Sequence, residues 1–351
     1  MRELLILTDN LGCFQISIED LKHYKSMRVD KIKNWFISKG YVVNIKKFDE
    51  LDFTQDYQGK FIIYQTSELP GSFYKHYIED VVYFLHQNGA IVLPNFECLK
   101  AHHNKIYMEM MRFKFKDNLL KSIESTCIGS ATEASKIKKL YPVVIKEASG
   151  CGSNGVYLAR NQSEYEKFTK KSSKVILSRN VFDFFQEKIK HLFKYTIAFF
   201  DRKYLPTLTE PIHRPIVVQN FVNGLSGDYK VLVFGNKYYT LYRENRDNDF
   251  RASGSGKLFE VPEEEHEELL NFAKRLTLEI DFPIIGMDIG FDGKQYHLIE
   301  FQMIHLGPYT LQASKFWHEY HDGTWMRYNG ESVLEDEYSR SIFEYIESHI
   351  I

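Results

Sequence analysis

Cysteine is scarce in this chain of 351 residues: four, at positions 13, 98, 127 and 151, with no CxxC pair among them. Their wide spacing excludes a disulfide framework and points to a reducing, cytoplasmic setting. Long apolar runs are lacking as well. The N-terminal run Leu4–Leu7 is too short for a signal-peptide core, and no stretch approaches the ~20 apolar residues of a membrane span. Nor is there an excess of either charge: 45 Lys and Arg stand against 47 Asp and Glu, a formal net charge of −2. That balance argues against a nucleic-acid binder and against an anionic-membrane binder. Arginine itself is rare, 13 against 32 lysines, so a local cluster of arginines is informative. Internal repeats and low-complexity segments are absent.

What is present is ordinary globular composition, long enough for two or three domains and a core that needs no disulfide or metal staples. The first hundred residues alternate strand and helix patterns. Glu3–Thr8, Tyr41–Ile45, Phe61–Tyr64 and Ala90–Leu93 read as strands; Arg28–Lys39, stopping at Gly40, and Phe73–Gln87 read as helices. This alternation predicts an α/β fold with a doubly wound parallel sheet. Its ligand edge lies at the strand C-termini, near Thr8–Asn10 and Gln65–Glu68. From about residue 140 the texture becomes α+β. Tyr141–Lys146, Val156–Ala159, Ile216–Val222, Tyr229–Phe234, Lys237–Tyr242, Ile284–Phe291 and Tyr296–Phe301 read as strands, Val181–Phe193 and Pro262–Glu279 as helices.

Three constellations carry chemistry. The loop Gly150-Cys151-Gly152-Ser153-Asn154-Gly155 matches GxGxxG but joins two strands, so it fails as a dinucleotide fingerprint. A hairpin loop is the plain alternative; Lys146 beside a run of glycine amides suits phosphate. In the hairpin Ile284–Phe291/Tyr296–Phe301, turning at Asp292-Gly293, alternation puts Glu300 and Gln302 on one face, and the hairpin can bring Asp288 opposite them. Two carboxylates and an amide oxygen among apolar neighbours repel unless a cation lies between them, and oxygen-only donors suit Mg²⁺. The third constellation is Arg243, Arg246 and Arg251, three arginines within nine residues beside the glycine-rich Ser253–Gly256. It is either a solvated loop or an anion clamp. His102-His103 reads as a polar loop, His318 and His321 as surface or packing residues. His305 lies between packing and support of the acidic hairpin, and the 263–268 acidic run reads as a solvated helix start suited to the helix dipole.

In order along the chain, these pieces resemble the ATP-grasp superfamily over roughly Lys105 to Gly307, and within it the carboxylate–amine ligase branch of ribosomal-protein glutamate ligase and glutathione synthetase. The resemblance implies an ATP-grasp fold divided as an N-terminal α/β domain (1–104), a lid subdomain (105–218) and a C-terminal subdomain binding metal and nucleotide (219–351). It implies that Lys105, Lys146, Gly150, Gly152, Ser153 and Gly155 contact phosphates, that Gln219, Asn220, Phe221 and Val222 form the adenine hinge, and that Asp228 lies near the ribose. Ser253 and the catalytic Arg251 would reach the phosphates, Arg243 would hold a carboxylate or acylphosphate, and Asp288, Glu300 and Gln302 would ligate Mg²⁺ (or Mn²⁺). The family's third metal ligand is usually asparagine where this chain has Gln302, and a glutamate is common where it has Asn220. The 73 residues from Lys146 to Gln219 imply a helical insertion near 180–215.

The implied activity is ADP-forming ligation of a small-molecule carboxylate to an amine through an acylphosphate, with Ser67 and Glu68 as acceptor contacts. A small-molecule kinase and a non-catalytic nucleotide-binding module are the alternatives, and a homodimer is an alternative to a monomer.

Overall fold

In the parallel sheet of the N-terminal part the strands run in the order Val42–Lys47, Glu3–Thr8, Phe61–Tyr64, Ile91–Leu93. Side chains alternate across a strand, so each strand feeds two cores. Leu4, Ile6, Phe61 and Ile63 pack with Ile32 and Phe36 of the helix Val29–Ser38. Leu7, Ile62 and Tyr64 pack instead with Ile78, Val82 and Leu85 of the helix Phe73–Gln87. Helices therefore cover opposite faces, and the sheet is doubly wound as the sequence predicts. The structure is a computed structural model describing residues 2–14, 16–17, 25–66, 73–137, 140–149, 155–173 and 214–349. Ser67, Glu68, Gly150, Gly152, Ser153 and the segment 180–213 of the expected insertion lie outside them.

The chain packs as two units, Met1–Ile123 with Val222–Ile351, and Glu124–Phe221. Lys105, with which the expected lid subdomain begins, lies in the first. That unit also holds a seven-stranded antiparallel sheet. Its order is Tyr296–Gln302, Ile284–Phe291, Gly227–Phe234, Lys237–Glu244, Phe316–His321, Thr324–Asn329, with the short strand Leu258–Phe259 also on Lys237–Glu244. The second unit is a four-stranded antiparallel sheet, Ser125–Ile128, Ile216–Asn220, Val143–Glu147, Val156–Ala159, backed by the helix Gln162–Ser173. Strand ends match the apolar patterning to within two residues.

The hairpin Phe316–His321/Thr324–Asn329 and the helix Leu334–His349 are absent from the sequence reading. The helix returns to the first unit's N-terminal part. Lys31 Nζ lies 2.8 Å from Asp336 Oδ2, and the rings of Trp35 and Phe343 meet edge-on at 5.5 Å. Among the described residues no helix is long and apolar enough to cross a membrane.

One buried ion pair braces the acidic hairpin. The helix Lys105–Lys114, capped by Asn104 Oδ1 accepting from the Tyr107 amide, carries Glu109 and Arg112 one turn apart, 3.2 Å between charges, at 0% and 1% exposure. Burial pulls the Arg112 pKa down, against the pull of Glu109 and Glu300. In the hairpin, Asp288 pairs with Glu300 but Ile289 with Leu298, so Ile299 is the extra residue of a β-bulge. Arg112 donates to the Leu298 carbonyl and, at 3.1 Å, to the Ile299 carbonyl. A charge-assisted donor thus takes the carbonyls that the bulge turns out of the ladder. Replacing Arg112 by Met leaves Glu109 charged and buried, and should lower stability by roughly 3–5 kcal/mol in urea unfolding. Adding Glu109→Gln should recover part of that loss; an R112M protein as stable as the parent would exclude this brace.

Candidate active site

Register brings the expected acids together. Asp288 stands directly opposite Glu300 on one side and Lys230 on the other, and Asp228 stands opposite Arg243. Directly paired residues share a sheet face, as do residues two apart on one strand. Asp228, Lys230, Arg243, Asp288, Glu300 and Gln302 therefore lie on one face of the seven-stranded sheet. Lys105, the first residue of its helix, reaches the same row: its Nζ lies 3.5 Å from Glu300 Oε1.

The charges interlock. Arg243 forks onto Asp228, with Nε to Oδ1 at 2.6 Å and Nη2 to Oδ2 at 2.9 Å, and its Nη2 is also 3.0 Å from Asp288 Oδ2. Lys230 Nζ lies 3.1 Å from Asp288 Oδ1. Burial opposes ionisation of Asp288, but Arg243 and Lys230 outweigh it and hold its pKa well below the usual carboxylate range. Burial and the neighbouring Asp288 push Asp228 the other way, up to about 6, against Arg243 and Lys230. Burial would lower the Arg243 pKa; the two acids raise it further than burial lowers it. Asp228, expected near a ribose, is buried with both oxygens on Arg243, and Arg243, expected as a substrate clamp, has its fork on two acids.

The donor set suits a hard divalent cation. All three expected ligands offer oxygen, and two are carboxylates in direct register. Asp288 at 19% and Glu300 at 35% side-chain exposure keep an opening to solvent.

Elsewhere in the first unit, Arg251 forks onto Asp249, with Nε 3.0 and 2.9 Å from the two oxygens, and Arg246 Nε donates to the Ser253 carbonyl at 3.1 Å. Lys257 pairs with Asp247 and Glu244. The His305 ring stacks on His102 at 5.3 Å, and its Nε2 lies 3.1 Å from the Thr66 carbonyl at the end of the parallel sheet.

In the second unit Lys146 is buried within Val143–Glu147, opposite Val217 and Val156. Gly155 closes that hairpin by accepting from the Glu147 amide. Its φ is +72°, and a Cβ there would lie 2.6–2.9 Å from the Glu147 side chain, so the position requires glycine. Of the expected hinge, Gln219 is buried, the Asn220 amide donates to the Glu124 carbonyl at 2.9 Å, and the Phe221 amide to the Pro142 carbonyl at 3.3 Å. Asn220 Nδ2 reaches Glu124 Oε2 at 3.0 Å, and Val222 begins the return to the first unit.

The sequence reading missed Lys230, Glu109 and Arg112. Lys230 had a signal: Asp228 and Lys230 alternate within an otherwise apolar strand. Removing Arg243 tests the charge network. Arg243→Met leaves Asp228 and Asp288 facing each other without their shared cation, so stability near neutral pH should drop by about 3–5 kcal/mol. Asp228→Asn in the same protein should return part of it, as read by denaturant midpoint.

No protein-family model and no curated protein sequence matches the chain. Solved structures do. D-cycloserine synthetase superposes with a TM-score of 0.52 at 10% identity, covering 97% of this chain and 99% of that one. D-alanyl-alanine synthetase A from Vibrio cholerae gives 0.51 at 12%, covering 99% and 100%. A RiPP-associated ATP-grasp ligase from Chryseobacterium gregarium, solved with ADP and a leader and core peptide, gives 0.50 at 13%, covering 99% and 97%. At such identities the likeness speaks for architecture, and with the doubly wound sheet, the antiparallel unit and the acidic hairpin it identifies this chain as an ATP-grasp fold.

Proposed function

We propose that the protein is an ATP-dependent, ADP-forming carboxylate–amine ligase. The observation that carries this reading is the row Lys230–Asp288–Glu300 on one sheet face, flanked by Arg243 and Lys105, within an ATP-grasp fold. The synthetase and ligase identities of the three superposed structures support it.

In this reading a substrate carboxylate oxygen attacks the γ-phosphorus of ATP, the bond to ADP breaks, and an acylphosphate forms. An amine then adds to the acyl carbon, and the tetrahedral intermediate expels phosphate. Phosphoryl transfer needs positioning and charge neutralisation more than covalent help. Asp288, Glu300 and Gln302 would hold Mg²⁺ (or Mn²⁺), which when bound neutralises phosphate charge. Lys105 and Lys146, with the amides of Gly150, Gly152, Ser153 and Gly155, bind phosphate oxygens. Gln219, Asn220, Phe221 and Val222 bind the base through the backbone. Arg251, with Ser253, offsets charge developing on the transferred group. Arg243 acts by fixing Asp228 and Asp288. Small-molecule acid and amine substrates in a cytoplasmic setting complete the reading.

Two measurements test it. Mg²⁺–ATP with a panel of acids and amines should yield ADP and free phosphate; ADP with phosphate retained on an acceptor would indicate a kinase, and no turnover with binding intact a nucleotide-binding module. Glu300→Gln should cost on the order of 10²–10³ in rate. Its partly exposed pair with Lys105 contributes little, so stability should stay within about 1 kcal/mol. An E300Q protein with full activity would remove Glu300 from the site.

A further inference from the structure

Away from the acidic hairpin, Glu263 and His266 lie one turn apart at the start of the helix Glu263–Thr277, beside His318 of the strand Phe316–His321. The two imidazoles are 3% exposed each, with ring centroids 4.4 Å apart and tilted by 37°. By sequence His318 and His321 stand in an H-x-x-H spacing and read as surface or packing residues. In a strand that spacing points to opposite faces, and His321 sits outside on Glu319. His266, hidden in an acidic run, takes its place.

Three of the four ring nitrogens in this pair, His266 Nδ1 and both nitrogens of His318, are buried with no hydrogen-bond partner among the described residues. A buried polar atom left so is costly, and the rings packed on them are Phe316 and each other. The fourth, His266 Nε2, lies 3.1 Å from Thr240 Oγ1. In the tautomer with Nε2–H donating to that hydroxyl, Nδ1 is an acceptor 3.9 Å from Glu263 Oε2. A second-nitrogen hydrogen bond of this kind is what orients a metal-ligating histidine. One donor atom from each of Glu263, His266 and His318 lies within 4.8 Å of the others. Arg327 stacks on Phe316 at 3.7 Å and holds Glu263 at 2.5 Å and Glu260 at 3.4 Å.

We infer that Glu263, His266 and His318 form a site for a borderline divalent transition-metal ion of the zinc class, joining the helix start to the outer strands of the sheet. Tetrahedral zinc needs donors roughly 3.3 Å apart, so binding draws in the 65%-exposed Glu263 side chain and turns the two imidazoles slightly toward each other. Three protein donors leave a fourth position for water. This inference stands independently of the ligase reading.

The test uses chelator-treated full-length protein in excess Mg²⁺, which occupies oxygen-only sites and not imidazole. Titration with Co²⁺ should give a visible ligand-field band that saturates at one equivalent and is displaced by Zn²⁺. Zn²⁺ at a hundredfold excess over its Kd should raise the melting midpoint by roughly 3–4 °C. His318→Gln should abolish the band, the exposed Glu263→Gln should weaken Co²⁺ affinity at least ~10-fold with an unchanged circular dichroism spectrum, and His321→Ala should leave both intact. Absence of the band in the parent, its survival in H318Q, or unchanged affinity in E263Q would each overturn the inference.

Discussion

Two carboxylates set close together on one sheet face hold their place only when positive charge is interleaved with them, and this constraint organises the first unit. Asp228 and Asp288 share the Arg243 guanidinium, and Lys230 closes the other side of Asp288. The arrangement forces the strands Gly227–Phe234 and Lys237–Glu244 close together at their open end. A Cβ at Gly227 would lie 2.2 Å from the Arg243 carbonyl oxygen, so no side chain fits there without moving backbone. Glycine at the strand start thus lets Arg243 sit beside Asp228, and Arg243 in turn keeps Asp288 ionised against its burial.

A second dependence runs through the helix Lys105–Lys114. Lys105 and Arg112 are seven residues, two helical turns, apart and so project from one side. The first meets Glu300, and the second holds the carbonyls of Leu298 and Ile299 just before it. One helix therefore sets both the charge facing Glu300 and the bulge that aims it. Asn104, by capping the helix, fixes where Lys105 starts.

Most of this was legible in the sequence at the level of elements and much less at the level of contacts. Alternation located the acidic hairpin, but the direct opposition of Asp288 and Glu300 depends on the bulge at Ile299: from Phe291 opposite Tyr296, an unbroken ladder would set Asp288 against Ile299. The arginine cluster was visible, but its partners were not: Arg243 turns to acids on the next strand and the one beyond it, and Arg251 to Asp249 two residues back. Glu109 and Arg112 look in sequence like any solvated i,i+3 pair, and only tertiary packing buries them. His266 was masked by the glutamates around it, which are exposed as a charged helix start should be, apart from the half-buried Glu265. The outer hairpin and final helix carry mixed aromatic and charged patterns, and their periods emerge only once the sheet provides a face to pack against.

The two ionic assemblies differ in a way that separates architecture from chemistry. Buried ion pairs add little net stability over well-packed apolar replacements, so their presence calls for a reason beyond folding. Glu109 and Arg112 are sealed, and Arg112 spends its donors on backbone carbonyls; that pair shapes the bulge. Asp288 and Glu300 remain partly open, at 19% and 35% side-chain exposure. A fold alone would gain by closing or replacing them. Their retained exposure, in a row with Lys105, Lys230, Arg243 and Gln302, is what the proposed reading requires of side chains that would meet a cation and a polyanion together.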